Sequence, residues 1–324
     1  MNRTDLAILF PGQGSQEPGM GRDVADAMPE AMDLWKKAER ASGLPLREIY
    51  WDGGDEKAMA DTRNLQPALT AVNLSLWLRL AGRVSPACTA GHSLGEYAAA
   101  AASGALSVDS TLELVALRGR LMAEADPDGK GAMAAVLKLS RSDVEAVVAE
   151  SAESTGQMIR IANYNTPGQL VLSGTRDAIA DAAARVKDRK GRALVLPVSG
   201  AFHSPLMDEA ARELAKAMRT ATWSRPRFAV YCNVTGQAVT DGESLHEVMT
   251  RQMTSSVQWI ATVTNQWNAG VRRWVESGPK GVLTKMVGPI LAGMGAASNV
   301  PAAEEGGWTA EGAGSLEQAD ALTF

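Results

Sequence analysis

Residues 91–95, Gly-His-Ser-Leu-Gly, restrict the fold of this chain more than any other segment. The G-x-S-x-G pattern is typical of a serine held on a sharp turn between a strand and a helix, where both glycines make room for the turn. Residues 84–92 predict a short strand, and the alanine-rich residues 94–103 predict a helix that ends before Gly104. A serine that only caps a helix would fit the same residues, so Ser93 is at this point either a nucleophile or an N-cap.

Strand and helix patterns alternate in the part of the chain before residue 128 and again in the part after residue 197, which indicates a parallel sheet with crossover helices. Between them, residues 128–197 predict the order β-α-β-β-α-β of a ferredoxin-like unit. We therefore predict an α/β fold: an α/β-hydrolase-like large domain with a parallel sheet (1–127 and 198–295) and an inserted ferredoxin-like small domain (128–197). Near the end of the large domain the pattern favours one continuous helix at 244–265. Residues 296–324 are rich in Ala, Gly and Glu, so they predict a disordered tail.

Composition excludes several classes of protein. The chain has 324 residues, 45% of them hydrophobic and 21% charged, with a net charge of −5 that gives no general attraction to nucleic acid or acidic membranes. No segment has the length of a transmembrane helix or the pattern of a signal peptide. Cys88 and Cys232 are far apart and have no metal-ligand spacing, so neither a disulfide framework nor a metal site is indicated. We expect a cytoplasmic, metal-free, soluble protein.

A nucleophilic serine needs a base, and the chain contains three histidines. His92 adjoins Ser93 on the turn, where its side chain should point away from the same reaction centre. His246 lies in a polar helix start and is expected to be solvated. His203 follows a predicted strand end, where loops of α/β folds carry catalytic groups, so elimination favours His203 as the base.

Two further segments stand out. The loop Pro-Gly-Gln-Gly-Ser-Gln at 11–16 lacks the last glycine of a dinucleotide-binding pattern, so its glycines either let Gln13 approach a reaction centre or form a plain turn. Arg118 lies on a predicted helix face with Leu114, Val115, Leu121 and Met122, where a guanidinium is costly unless an anion satisfies it. Snorkelling to water or pairing with a distant carboxylate is the alternative for Arg118.

Taken together and in order, FPGQGSQ, GHSLGEY, LRGRLM, NYNTPGQ and GAFHSPLM, followed by RQM, VQW and ESGPKGVL, resemble the malonyl-CoA:acyl carrier protein transacylases. The resemblance covers residues 5 to about 290. It implies a ping-pong transfer in which Ser93, with His203 as base, takes the malonyl group from malonyl-CoA and passes it to the phosphopantetheine thiol of acyl carrier protein in fatty acid biosynthesis. It implies no cofactor, and the partners are the thioester and the carrier protein. We expect a monomer.

The resemblance also implies roles for individual residues. Backbone N–H groups of Gln13 and Leu94 would form the oxyanion hole, the carbonyl of Gln252 would orient His203, and Arg118 would grip the malonyl carboxylate. The ring of Phe202 would leave little room for a 2-methyl group. Weaker candidates are Asn163 and Gln66 in the substrate pocket, and Lys190 and Arg192 as contacts to coenzyme A or the carrier protein.

Alternatives remain open at this stage. They are an acyl-thioester hydrolase on the same scaffold, a malonyl transferase subunit of polyketide synthesis or malonate decarboxylation, and a carrier-protein docking module without catalysis. A hydrolase would have no need for Arg118, and the joint presence of Ser93, His203 and Arg118 argues against a docking module.

Overall fold

The computed structural model describes residues 2–198, 200–298 and 307–324. Its strands form two sheets, one of six strands and one of four. The strands are β1 Asn2–Phe10, β2 Ser85–Gly91, β3 Gly131–Leu137, β4 Ile159–Thr166, β5 Gln169–Thr175, β6 Arg192–Val195, β7 Ala229–Tyr231, β8 Ala238–Val239, β9 Arg273–Ser277 and β10 Thr309–Ala313.

Helices pack on both sheets. In chain order they are α1 Arg22–Ala27, α2 Pro29–Ser42, α3 Glu56–Ala60, α4 Thr62–Ala81, α5 Gly95–Ser103, α6 Val108–Glu124, α7 Arg141–Thr155, α8 Arg176–Asp188, α9 Asp208–Met218, α10 Gly242–Thr250, α11 Trp259–Asn268, α12 Thr284–Ser298 and α13 Leu316–Ala321. Among the described residues, none of these helices has the length and apolar character needed to span a bilayer.

The large sheet has the strand order β10-β9-β1-β2-β7-β8, and all its pairings are parallel except β7 with β8. Its central strand β1 is buried on both faces: Leu6, Ile8 and Phe10 belong to one hydrophobic cluster, and Ala7 and Leu9 to another. A parallel sheet covered by helices on both faces requires such a continuous apolar strand. The predicted α/β architecture of the large domain is confirmed.

The small sheet has the order β4-β5-β3-β6, with antiparallel pairings throughout. Together with α7 and α8 it follows the chain order β-α-β-β-α-β, so the predicted ferredoxin-like unit is also confirmed. Its own hydrophobic cluster, which includes Val144, Val147, Ile179 and Val186, lies between the helices and the sheet. The domain boundaries drawn at residues 128 and 197 stay predictions.

The prediction of a disordered C-terminal tail is wrong for residues 307–324. Strand β10 pairs in parallel with β9, and helix α13 packs on α4, where Ala319 and Leu322 are buried. Few apolar residues suffice there because the edge of β9 supplies the hydrogen-bonding partners for β10. The prediction is also wrong for residues 296–298, which belong to α12, and residues 299–306 of the predicted tail lie outside the described residues.

The continuous helix predicted at 244–265 is wrong as well. Helix α10 ends at Thr250, a short 3₁₀ turn covers Gln252–Thr254, and α11 begins only at Trp259. The intervening residues are extended, because the Val257 N–H donates to Ala162 O and the Val257 carbonyl accepts from Tyr164 N–H on β4. Pairing with the small domain outweighs the local helix propensity of this segment.

Packing of the C-terminal segment can be tested by truncating one buried side chain. We expect Leu322→Ala to lower the free energy of unfolding by about 2 kcal/mol, because the cavity and the lost apolar contacts both destabilise the folded state. Glu317→Ala, an exposed position on α13, the helix that Leu322 follows, should change it by less than about 0.5 kcal/mol. Chemical denaturation measures both; equal effects would contradict the packing of α13 on the large domain.

Candidate active site

Ser93 lies on the turn between β2 and α5. Its φ of 49° places a non-glycine residue in the left-handed region, which is strained and typical of a nucleophile held at a strand-to-helix elbow. Glycines are required on both sides: a Cβ at Gly91 would overlap the backbone of Gly95, and one at Gly95 would overlap the carbonyl group of Phe10. The backbone of the elbow therefore crosses the end of β1 in direct contact.

His203 lies within hydrogen-bonding distance of Ser93, where a base for a nucleophilic serine is required. Its Nε2 lies 2.8 Å from Ser93 Oγ, and its Nδ1 lies 3.1 Å from the carbonyl oxygen of Gln252 and 3.0 Å from that of Ser255. Carbonyl oxygens only accept hydrogen bonds, so these partners assign the proton of the neutral ring to Nδ1 and leave Nε2 as the acceptor for the serine hydroxyl. Two backbone carbonyls thus take the place of the carboxylate of a Ser-His-Asp triad.

The electrostatic surroundings keep His203 neutral. Burial, and after it the positive charge of Arg118, lower the pKa of its imidazole from the ordinary 6.5 to about 3. The carbonyls of Gln252 and Ser255 oppose this effect only partly. A histidine that stays neutral has its Nε2 lone pair available for the serine proton.

Arg118 projects from α6 into the same site although it is 1% exposed. Its guanidinium donates to three uncharged acceptors: Gln66 Oε1 at 2.8 Å, Ser93 Oγ at 3.1 Å and Gln252 Oε1 at 3.2 Å. Its Nε has no hydrogen-bond partner among the residues that the structure describes. Burial lowers the pKa of the guanidinium, as expected of a cation without a close anion.

The side chain of Gln252 connects these groups. Its Nε2 donates to Ser93 O at 2.9 Å and to Glu96 Oε2 at 2.5 Å, while its Oε1 accepts from Arg118. One residue therefore contacts the base through its main chain, and the elbow and the arginine through its side chain.

Glu96 lies in the first turn of α5 and is completely buried. Besides Gln252 it accepts the backbone N–H of Asn233 at 3.1 Å. Burial raises the pKa of its carboxyl group to about 7, and the hydrogen bonds from Gln252 and Asn233 together with the charge of Arg118 oppose the rise.

The loop at 11–16 approaches the elbow closely. A Cβ at Gly12 would overlap the carbonyl oxygen of His92 and lie 3.5 Å from Leu94 N, so only a glycine allows this contact. The loop is held by Asn73, whose Nδ2 donates to Pro11 O at 2.9 Å. Gln13 therefore lies directly beside the N-terminus of α5, where Leu94 is the N-cap. A cavity of about 500 Å³ opens next to Gln13 and reaches Val198 in the connection to the small domain.

The structure brings together Ser93, His203, Arg118, Gln66 and Gln252, and it places the loop of Gln13 against Leu94. Gln66 is buried and its Oε1 accepts from Arg118, and its predicted place in the substrate pocket stays a prediction. Phe202 is buried next to Gly200, immediately before the histidine. Its proposed contact with the acyl group stays a prediction.

The outer candidates lie on the small domain. Asn163 is half-buried on β4, bridges to Val257 and has an Oδ1 without a partner among the described residues. Lys190 follows α8 and Arg192 begins the edge strand β6, and both side chains are exposed. Their contacts to substrate or carrier protein stay predictions.

The other two histidines have different surroundings. His92 Nε2 lies 2.8 Å from Asn165 Oδ1, and its ring is 5.5 Å from that of Trp259, so the side chain is directed to the small domain. The expectation of a solvated His246 is wrong: its ring packs 5.3 Å from that of Trp223 and is only partly exposed. A tryptophan brought near by tertiary packing is not visible in the local polar sequence.

Sequence reasoning missed four residues of the site: Ser255, Asn233, Glu96 and Asn165. Asn233 fixes the elbow, because its Oδ1 accepts from Ser93 N at 2.6 Å and its Nδ2 donates to Gly91 O at 2.6 Å. A polar residue at the carboxyl end of a buried parallel strand is a signal that could have identified it. No comparable signal marks Ser255, since its carbonyl acts through the backbone.

Comparisons with known proteins agree with this geometry. The family described as "Acyl transferase domain" matches residues 8–315. The malonyl CoA-acyl carrier protein transacylase of Escherichia coli K12 is 37% identical over 292 residues, which cover 89% of this chain and 93% of that protein.

Two solved structures are similar over nearly the whole length. The malonyl-CoA:acyl carrier protein transacylase of Xanthomonas oryzae pv. oryzae is 34% identical with a TM-score of 0.89 and full coverage of both chains. A malonyl-transacylase solved in complex with its type II polyketide synthase acyl carrier protein is 32% identical, with a TM-score of 0.88 and 98% coverage of both chains. With its serine elbow, its histidine held by carbonyls and its family match over most of its length, the chain belongs to the acyl transferase domain family and is an acyltransferase.

Proposed function

We propose that this protein transfers the malonyl group of malonyl-CoA to the phosphopantetheine thiol of an acyl carrier protein, in the cytoplasm and for fatty acid biosynthesis. The observation that carries the proposal is the position of Arg118: a buried guanidinium, bonded to neutral groups alone, lies 3.1 Å from the nucleophilic oxygen. An acyl group attached to Ser93 that ends in a carboxylate would place its negative charge beside this cation. The names of the relatives, which are malonyl transacylases, support the same acyl group.

The first half-reaction forms an ester on Ser93. His203 Nε2 accepts the hydroxyl proton while Ser93 Oγ attacks the thioester carbonyl carbon. In this scheme the backbone N–H groups of Leu94 and Gln13 donate hydrogen bonds to the developing oxyanion. The loop and the helix N-terminus that carry them are held by the fold before a substrate binds, so little reorganisation is needed. Collapse of the intermediate breaks the carbon–sulfur bond, and the coenzyme A sulfur leaves with the proton from His203.

The second half-reaction repeats these steps in reverse with another thiol. His203 takes the proton of the phosphopantetheine thiol, the sulfur attacks the malonyl ester, and Ser93 Oγ leaves and regains the proton. The acyl group moves between sulfur and oxygen without a change in oxidation state, so this scheme uses no cofactor. One chain contains every group in the scheme, which is consistent with a monomer.

Arg118 contributes to both selectivity and activation. Its planar fork can bind a carboxylate with two hydrogen bonds, which a neutral acetyl group cannot satisfy. In the free enzyme its charge lowers the pKa of His203. When the malonyl carboxylate neutralises that charge, imidazolium becomes less costly, so the correct substrate makes His203 a better proton acceptor.

The covalent intermediate can be observed directly. After brief incubation with malonyl-CoA, mass spectrometry of the intact protein should show one added malonyl group, which peptide mapping locates to Ser93; Ser93→Ala should show none. Adding holo carrier protein should move the label to its thiol. Release of the label as free malonate in the presence of that protein would instead indicate a thioester hydrolase, and the absence of any adduct would contradict the ping-pong scheme.

Arg118 should determine the acyl group. Arg118→Ala should lower kcat/KM for malonyl transfer by about 100-fold or more, because a buried charge pair loses one partner, while acetyl transfer falls less or rises. Arg120→Ala is a matched control, since Arg120 lies on the same helix but is exposed beside Glu124. Equal losses for the two acyl groups would contradict a contact between Arg118 and the carboxylate.

The charge of Arg118 should also be visible in the titration of His203. NMR of the three imidazoles, with His203 assigned by its loss in His203→Ala, should show a neutral ring with the proton on Nδ1 from pH 5 to 8. In Arg118→Ala the pKa of His203 should rise towards 6.5, because the positive charge that disfavours imidazolium is gone. Arg120→Ala should leave the titration unchanged. An unchanged pKa in Arg118→Ala would show that burial alone keeps His203 neutral.

A further inference from the structure

The acyl transfer described above makes no use of one buried charge, the carboxylate of Glu96. Glu96 is 0% exposed. It lies three positions after Ser93, between Gly95 and Tyr97 in the first turn of α5. A carboxylate is among the most costly groups to bury, so one placed here needs partners that compensate for the lost water. Within the described residues it forms no ion pair closer than 4 Å. It accepts hydrogen bonds from an amide side chain and a backbone N–H, and the thiol of Cys232 also stabilises its charged form.

The contact to Gln252 determines the orientation of an amide. The two hydrogens of Gln252 Nε2 are used by Glu96 Oε2 at 2.5 Å and by Ser93 O at 2.9 Å. The amide oxygen then faces Arg118 Nη2 at 3.2 Å. If the amide turned over, its hydrogens would face the guanidinium and its oxygen would face the carboxylate, and both contacts would become repulsive.

Gln252 matters because its backbone carbonyl is also one of the two acceptors for His203 Nδ1. It lies in a single 3₁₀ turn between two helices, and few local hydrogen bonds hold such a short element. Its side-chain contacts to the elbow therefore help to determine where this carbonyl lies.

We propose that Glu96 is a positioning residue for acyl selectivity: by holding the Gln252 amide in one orientation, it keeps the guanidinium of Arg118 aligned for a carboxylate-bearing acyl group. The inference rests on the proposed malonyl transfer and adds a residue that never touches the substrate. It also explains why the carboxylate is buried beside the elbow instead of being replaced by an apolar side chain.

A simple charge effect would act in the opposite direction. Glu96 is negative when ionised and lies near Arg118, so it weakens the attraction of Arg118 for a second carboxylate. Removing the charge without any loss of alignment would therefore increase the preference for malonyl over acetyl groups. Loss of alignment decreases it, so the sign of the change separates the two explanations.

The test compares Glu96→Gln with Glu276→Gln. The first variant keeps the shape of the side chain but replaces one of the two oxygens by an NH₂ group, and Gln252 and Asn233 donate to different oxygens, so one of them faces a donor. Glu276 is the matched control: it is also 0% exposed with a pKa raised to about 7 by burial, but it accepts backbone N–H groups of Val282, Leu283 and Thr284. Glu96→Gln should lower the ratio of malonyl to acetyl kcat/KM by about tenfold, the order expected for losing a hydrogen bond to a charged group. Glu276→Gln should leave the ratio unchanged even if it lowers the melting temperature.

The double variant locates the effect. In a Gln252→Ala background, which keeps the backbone carbonyl but removes the amide, Glu96→Gln should cause no further fall in the ratio. A fall of the same size in both backgrounds would show that Glu96 acts without Gln252 and would overturn the proposal, as would an unchanged or increased ratio in Glu96→Gln.

A second readout does not depend on acyl transfer. Hydrogen exchange of the Gln252 side-chain amide, assigned in NMR spectra by its loss in Gln252→Ala, should be slow in the wild type and faster in Glu96→Gln. Equal exchange rates would overturn the positioning role. Failure of the wild type to load malonyl groups would instead contradict the proposed function, and this exchange measurement would still decide whether Glu96 holds the amide.

Discussion

Three backbone segments meet at the serine elbow with no space for a side chain between them, and the active site depends on this contact. Gly95 lies against the carbonyl of Phe10 at the end of β1, Gly91 lies against Gly95, and Gly12 lies against His92. The His92 N–H donates to Phe10 O at 3.0 Å, which joins the turn to the central strand. Because the elbow contacts the carboxyl end of the central strand β1, the buried sheet holds Ser93 in its strained conformation.

The site built on this elbow contains charges without close counter-charges. Arg118 is bonded to amide and hydroxyl oxygens, and Glu96 to an amide and a backbone N–H, although both are fully buried. Such an arrangement costs stability, and proteins retain it where function requires a charge in place before the substrate arrives. Neutral groups can orient a guanidinium without satisfying it, so an anionic acyl group completes the site.

His203, the proposed base, is held in place by both the large and the small domain. His203 follows the return of the chain from the small domain, and the segment that carries its carbonyl partners pairs with β4 of that domain through Val257. Arg160 on β4 adds bonds to Thr254 O and Ser256 Oγ. The small domain thus holds the loop that orients the histidine, so its contribution extends beyond the proposed contacts with the carrier protein.

The sequence by itself determined the alternation of strands and helices, the inserted β-α-β-β-α-β unit and the G-x-S-x-G turn that carries Ser93. These follow from local patterns, namely periodicity and glycine spacing, which act over a few residues. His203 was favoured by elimination among three histidines, and the roles of Ser93 and Arg118 were decided by the resemblance to a known family. Only the tertiary structure showed the break in the helix predicted at 244–265 and the strand formed by Thr309–Ala313. In both places a hydrogen-bonding partner distant in the chain decides the conformation. The roles of Glu96, Asn233 and Ser255 depend in the same way on contacts between segments more than fifty residues apart, and no local pattern records such contacts.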